Sequence, residues 1–247
     1  MIRVFPDLAA ASRAAAELFA AEARRAVAAH GRFTVLLAGG ETPRSAYEIL
    51  AEPPLREQVP WEAVHVFWGD ERCVPDDDPR SNARMARIAL LDHVPVPAEQ
   101  IHPIRCDRSP REGAAAYEEL LRAFFAGGPP RFDLVFLGLG GNGHTASLFP
   151  GTPVLDERKR WSGEVYVAED RLHRVTLTAP VINRAALVAF LVTGEGKAAV
   201  LKEVLEGSAD PHRLPARLIS PGDGELLWLV DRAAARLLRE TTLAGPF

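Results

Sequence analysis

The first run of apolar residues, Ile2 to Phe5, has the length and composition of a short strand. From Asp7 the pattern changes. Leu8, Ala11, Ala15, Leu18, Phe19, Ala23 and Val27 recur at three- and four-residue intervals, the spacing of one helix face. Asp7 is a suitable N-cap and Gly31 a suitable stop. Phe33 to Ala38 is then apolar at nearly every position, as a strand covered on both faces must be, and Gly39-Gly40 ends it. Helical spacing resumes after Pro43.

Val64 to Trp68 predicts a second core strand, followed by a polar loop to Arg80. Ser81 can cap a helix running to Leu91, and Arg111 to Phe125 is also helical in pattern. Leu134 to Leu137 predicts a third core strand, and Arg174 to Thr178 alternates in the manner of a strand. Leu187 to Val192 and Leu226 to Val230 predict the last two core strands, followed by helices from Lys197 to Leu205 and from Arg232 to Arg239. Such alternation argues for an α/β fold: a mostly parallel sheet with helices on both faces. No repeat or composition break divides the chain, so a single domain over residues 1–247 is expected, with a small irregular insert around 150 to 175.

Ligands of such sheets bind beyond the C-terminal strand ends. Four loops fall there. In Gly39-Gly40-Glu41-Thr42-Pro43, two glycines allow close backbone approach and the helix start offers free N–H groups to an anion, though a plain tight turn fits the loop equally well. Gly69-Asp70-Glu71-Arg72 places three charges at the mouth of a buried strand, which is costly unless they are used. Gly138 to Gly151 matches GxGxxG, but Pro150 and Gly151 stop any long helix, so a dinucleotide site is rejected. That loop instead presents His144, a residue type suited to general-base work. In Gly194-Glu195-Gly196-Lys197, the lysine falls in the first turn of a helix, where a bound anion would offset its unfavourable position. Taken alone, a snorkelling surface lysine is the simpler reading.

Composition narrows the classes. Of the 247 residues 47% are hydrophobic and 25% charged, with a net charge of −4. That balance gives no basic surface for nucleic acid or an anionic membrane. Arg13, Glu17, Glu22, Arg24 and Arg25 break up any signal-peptide core. Cys73 and Cys106 have no metal-binding spacing and read as two reduced thiols of a cytoplasmic protein. No GxSxG elbow and no GxxxxGK[ST] loop is present.

Taken in order, these blocks resemble the 6-phosphogluconolactonase family over nearly the whole chain. The marks are Gly39 to Pro43, Gly69 to Arg72 with Val74-Pro75, Ser81-Asn82, Gly143 to Gly151, Arg174 to Thr178, and Gly194 to Ala198. Ala38 and Asn142 depart from the serine and aspartate frequent in that family. The resemblance implies a modified Rossmann-like sheet shared with sugar-phosphate isomerases. It implies hydrolysis of a sugar-phosphate lactone in the oxidative pentose phosphate pathway, with no cofactor and no metal. It further implies His144 as base, Asp70 and Arg72 beside it in catalysis, and a substrate-binding set of Gly39, Gly40, Thr42, Asn82, Gly143, Arg174 and Lys197. A monomer or homodimer is expected, without nucleic-acid or membrane partners. Two other readings stay in view. A glucosamine-6-phosphate deaminase-like isomerase would carry an acidic residue where Ser147-Leu148-Phe149-Pro150 stands. A non-catalytic sugar-phosphate sensor would have no need of His144.

Overall fold

A computed structural model describes residues 1–126 and 128–244; Gly127 and residues 245–247, which the expected domain includes, lie outside the described residues. The strands are β1 (Ile2–Phe5), β2 (Phe33–Leu37), β3 (Val64–Trp68), β4 (Asp70–Arg72), β5 (Ile101–His102), β6 (Leu134–Gly138), β7 (Ser162–Val167), β8 (Leu172–Leu177), β9 (Leu187–Val192) and β10 (Glu225–Asp231). Seven of them form one sheet in the order β1-β10-β9-β6-β2-β3-β5. Every neighbouring pair in it is parallel. The interior strands β2 and β9 are buried at every position, which is why they read as unbroken apolar runs.

The Leu8–His30 helix forms for the reasons visible in its ends and its stripe. Asp7 Oδ1 accepts the Ala10 N–H at 2.9 Å, and Gly31, at φ +82°, closes the helix by donating its N–H to the Val27 carbonyl. Its buried face is mostly alanine plus Phe19, whose ring packs edge-on against Phe33 at 5.2 Å. Losing that ring by Phe19→Ala would cost ~3–5 kcal/mol.

From β2 the chain steps outward to β3 and β5, whereas β9, β10 and β1 lie on the other side of β6. The direction of winding therefore reverses around β6 and β2. At such a reversal the loops leaving the strand ends splay apart and open a crevice. The loops after β2, β6 and β9 are three of the four expected to carry chemistry, the fourth being the segment after β3.

Several boundaries and one whole layer differ from the expectations. Asp70–Arg72 is a strand, not a loop. It pairs antiparallel with β8, and β8 with β7, in a second sheet of order β4-β8-β7. The stretch around 150 to 175 thus contains the β7–β8 hairpin rather than an irregular insert. Three polar residues show no periodicity of their own; β4 forms because Gly69 is stitched to both sheets, donating to the Leu37 carbonyl at 3.2 Å and accepting from the Leu177 N–H at 2.8 Å. Arg174 is the third residue of β8 and does not open it. The helix placed after Pro43 starts at Glu41. Lys197 lies in a tight turn that precedes the Ala198–Glu206 helix, and the helix from Arg232 ends at Ala235. Finally, Cys73 and Cys106 are joined in a disulfide, so the expectation of two reduced thiols is corrected. The partners are 33 residues apart and come together through the turns after β4 and β5, a proximity that spacing alone does not reveal.

Candidate active site

At the mouth of the crevice lies a cavity of about 520 Å³. Of the residues named from the sequence, Gly39, Gly40, Thr42, Asp70, Arg72, Asn82, His144, Arg174 and Lys197 line it. Gly143 does not. It turns the loop at φ +79° and packs on Leu214, which leaves no room for a side chain.

His144 is held from three directions. Its carbonyl accepts the Gly140 N–H at 2.8 Å, and its ring stacks on Phe149 with centroids 4.0 Å apart. A Cβ on Gly140 would stand 2.0 Å from His144 Nδ1, so only glycine allows this ring position. On the third side, Asn142 Oδ1 accepts the His144 backbone N–H at 3.1 Å and faces Nδ1 at 2.6 Å. An amide oxygen cannot donate, so Nδ1 carries the ring proton and Nε2 keeps a bare lone pair. Burial, chiefly, pushes the imidazole pKa down to about 4. Arg174 and Lys197 lower it further, while Asp70 and Asp170 oppose the shift. The ring is therefore neutral at pH 7.

Asp70 is 6% exposed. Its carboxylate accepts from Ser147 Oγ at 2.6 Å, and Arg174 Nη1 stands 4.0 Å away. Asn82 donates to the Asp70 carbonyl at 2.9 Å. The Asn82 side chain fills the space a residue larger than Gly39 would need, 1.9 Å from its ideal Cβ, so Asn82 lines the cavity mainly as a brace for Asp70. Arg174, 7% exposed, pairs with Asp170 and lies over the same Phe149 ring at 5.1 Å. Phe149 thus carries both the histidine and a cation. Arg72 donates to the Arg80 carbonyl. The Nε groups of Arg72 and Arg174 are buried donors without a partner among the described residues, the condition an incoming anion would relieve.

On the opposite side, Thr42 Oγ1 and Thr193 Oγ1 are 2.7 Å apart and join the loops after β2 and β9. The Glu41–Leu50 helix has Gly40 as its N-cap and so no side-chain cap, leaving its first amides free beside Lys197. Among the described residues no group of three or more His, Cys, Asp or Glu could hold a metal ion.

The family model described as glucosamine-6-phosphate isomerases/6-phosphogluconolactonase matches residues 6–228. The chain belongs to this family. A 6-phosphogluconolactonase of Synechocystis sp. is 48% identical over 220 residues, spanning 87% of this chain and 88% of its own. One of Nostoc sp. is 44% identical over 238 residues, spanning 94% and 96%. The solved structure of 6-phosphogluconolactonase from Trypanosoma brucei superposes with a TM-score of 0.84 at 30% identity, covering 97% of this chain and 98% of that one. The parallel seven-stranded sheet is thus the fold of the family.

Both departures from that family pattern are accommodated in the structure. Ala38 is fixed through its backbone, donating to and accepting from Tyr47 Oη at 3.0 Å each. Asn142 keeps the contact to Nδ1 with a neutral amide. Sequence reading missed Ser147, Phe149, Asp170 and Thr193 as site supports. Ser147 and Phe149 were in view within the histidine block, but only geometry shows what they touch. Glu71 was read as a charge waiting for a use. It is 4% exposed and accepts from Ser81 Oγ and from the N–H groups of Arg72, Asn82 and Ala83, fastening the start of the Asn82–Ala86 helix. Burial raises its pKa against those bonds.

Proposed function

We propose that this chain hydrolyses 6-phospho-D-glucono-1,5-lactone to 6-phospho-D-gluconate as a single domain over residues 1–247, a step of the oxidative pentose phosphate pathway. The observation that carries the reading is the bare Nε2 of a neutral His144 beside Asp70 and Arg174, all facing one cavity. Nε2 takes a proton from a water as its oxygen attacks the lactone carbonyl carbon. A positioned base contributes ~10²–10⁴-fold. Asp70 favours the imidazolium that forms, and the Arg72 and Arg174 donors stabilise the negative charge growing on the carbonyl oxygen. The imidazolium then gives its proton to the departing ring oxygen. Lys197, Thr42 and the free amides after Gly40 hold the phosphate. None of these steps calls on a cofactor. The reading carries with it a small-molecule sugar-phosphate substrate, a cytoplasmic place, a monomer or homodimer, and no nucleic-acid or membrane partner. No described helix is long and apolar enough to cross a membrane.

The deaminase-like reading is weaker because the carboxylates lining the cavity are Asp70 and Glu41, and the segment after His144 has none. A coupled assay tests the choice. Purified protein should release acid from freshly generated lactone well above the spontaneous rate and release no ammonia from glucosamine-6-phosphate. Steady ammonia release would hand the chain to the isomerases.

A further inference from the structure

The disulfide follows the cavity arginine directly in the chain, since Cys73 is the next residue after Arg72. Both cysteines are partly exposed. The turn that leaves Cys73, from Val74 to Arg80, carries the carbonyl that accepts from the Arg72 guanidinium. Its far end is fastened by the Glu71 carboxylate through Ser81, Asn82 and Ala83, and its near end by the Cys73 N–H to the His173 carbonyl at 2.9 Å. Between those ends it is joined to the Cys106 segment by the S–S bond and by the exposed Arg105–Asp76 pair at 3.2 Å. An exposed pair of that kind contributes little. The covalent bond is therefore the main tie between this turn and its neighbour. The two cysteines pack against the edge of the hydrophobic core, and Cys73 adjoins Arg72 of the cavity lining. In thiol-rich compartments persistent disulfides are rare, and those present are mostly catalytic or redox-sensing.

We infer that Cys73–Cys106 is a reversible thiol-exchange site whose oxidised form holds the Arg72 guanidinium in place at the cavity. The inference rests on the reading of Arg72 as a cavity cation given above. The chemistry is a two-electron exchange with a dithiol reductant. One reductant thiolate attacks a protein sulfur to give a mixed disulfide, and its second thiolate closes a disulfide within the reductant. Cys73 and Cys106 leave as thiols, each having gained one proton and one electron. Reduction loosens the middle of the Val74–Arg80 turn between its two fastened ends, the Arg80 carbonyl holds the guanidinium less firmly, and the cavity donor is less well positioned.

Dithiothreitol is the probe, with alkylation and mass measurement counting free thiols before and after. Oxidised protein should label at neither cysteine. Reduction should open both and lower kcat/KM for the phosphorylated lactone by roughly 3- to 10-fold, the worth of one positioned hydrogen bond. Far-UV circular dichroism at the assay temperature should be unchanged, and reoxidation should restore the rate. A Cys73→Ser/Cys106→Ser variant should match the reduced enzyme and ignore dithiothreitol. Arg72→Ala separates the two layers of the claim. If it leaves the oxidised rate unchanged, the reading of Arg72 fails and the coupling fails with it. If Arg72→Ala slows the enzyme but reduction still costs the variant as much as the wild type, Arg72 is a working cation and the coupling alone is wrong. Two labelled thiols in oxidant-treated protein, or full reduction with no change in kcat/KM, would also overturn the inference.

Discussion

The two walls of the cavity are made of different material. One wall comes from the main sheet: the Gly39–Pro43 turn, the threonine pair and the loop ending at partly exposed Lys197. It is built of backbone amides, threonine hydroxyls, one flexible cation and the exposed Glu41 carboxylate, which pairs with Arg44. The other wall rests on the small antiparallel sheet, where Arg72 and Arg174 face each other in register and Asp70 pairs with Thr176. There Asp70 and Arg174 are buried charges and Arg72 is partly buried, each braced by a neighbour. A wall of amides suits a group that stays a dianion throughout the reaction. A wall of buried, interlocked charges suits the place where charge appears and moves, because electrostatic effects are larger out of water and braced groups need not reorganise. Under the proposed function, the phosphate belongs at the first wall and the lactone at the second.

The largest break in that comparison should come from His144→Ala. Turnover should fall by ~10²–10⁴-fold while product affinity stays close to wild type, read by kinetics and calorimetry side by side. Parallel loss of binding would mean that the histidine holds the ligand instead.

Lys197→Ala probes the amide wall. The phosphate is bound alike in ground and transition states, so KM should rise by roughly 10-fold with little change in kcat. That is the low end for a charge-assisted contact, since the lysine is partly exposed. Unphosphorylated gluconolactone should show no such penalty. Equal losses on both substrates would move Lys197 to the reacting end.

The smallest effect concerns stability away from the site. Burial, chiefly, lowers the His102 pKa to about 4, and the adjacent His65 is lowered for the same reason. His144 behaves likewise. The unfolded chain accepts these protons near 6.5 and the folded one does not, so protonation favours unfolding. Stability should be level above about pH 6.5 and fall steadily toward pH 4, with His102→Asn flattening the slope in thermal melts. Glu157 and Glu206, held near 2 by bonds from Arg160 and Lys202 respectively, lose their contribution only at lower pH. A melting temperature constant from pH 7 to about 4.5 would contradict this.

What the sequence revealed follows the same division. The core strands were legible because each fills its whole length with apolar residues, as Phe33–Leu37 does. His144 was legible because glycines surround it, and Gly140 is a glycine for that ring's sake. The small sheet was not legible, since Asp70-Glu71-Arg72 becomes a strand only through its partners in β8 and its stitch at Gly69. Nor was the Cys73–Cys106 bond, which long-range folding alone creates. The tautomer of His144 lay hidden too. The sequence shows Asn142 two residues away, but the acceptor at 2.6 Å belongs to the folded loop.

The role of His144 as a neutral base can be tested most directly by the pH dependence of kcat/KM on fresh lactone, corrected for spontaneous hydrolysis, with the fold followed by circular dichroism at each pH. The imidazole lies near 4 in the folded protein, so the rate constant should be flat from about pH 8 down to about 5.5 and fall only below that, and His144→Ala should erase the acid limb. An acid limb centred at 6.5 or above in folded enzyme, or one that survives in His144→Ala, would show that another group accepts the proton.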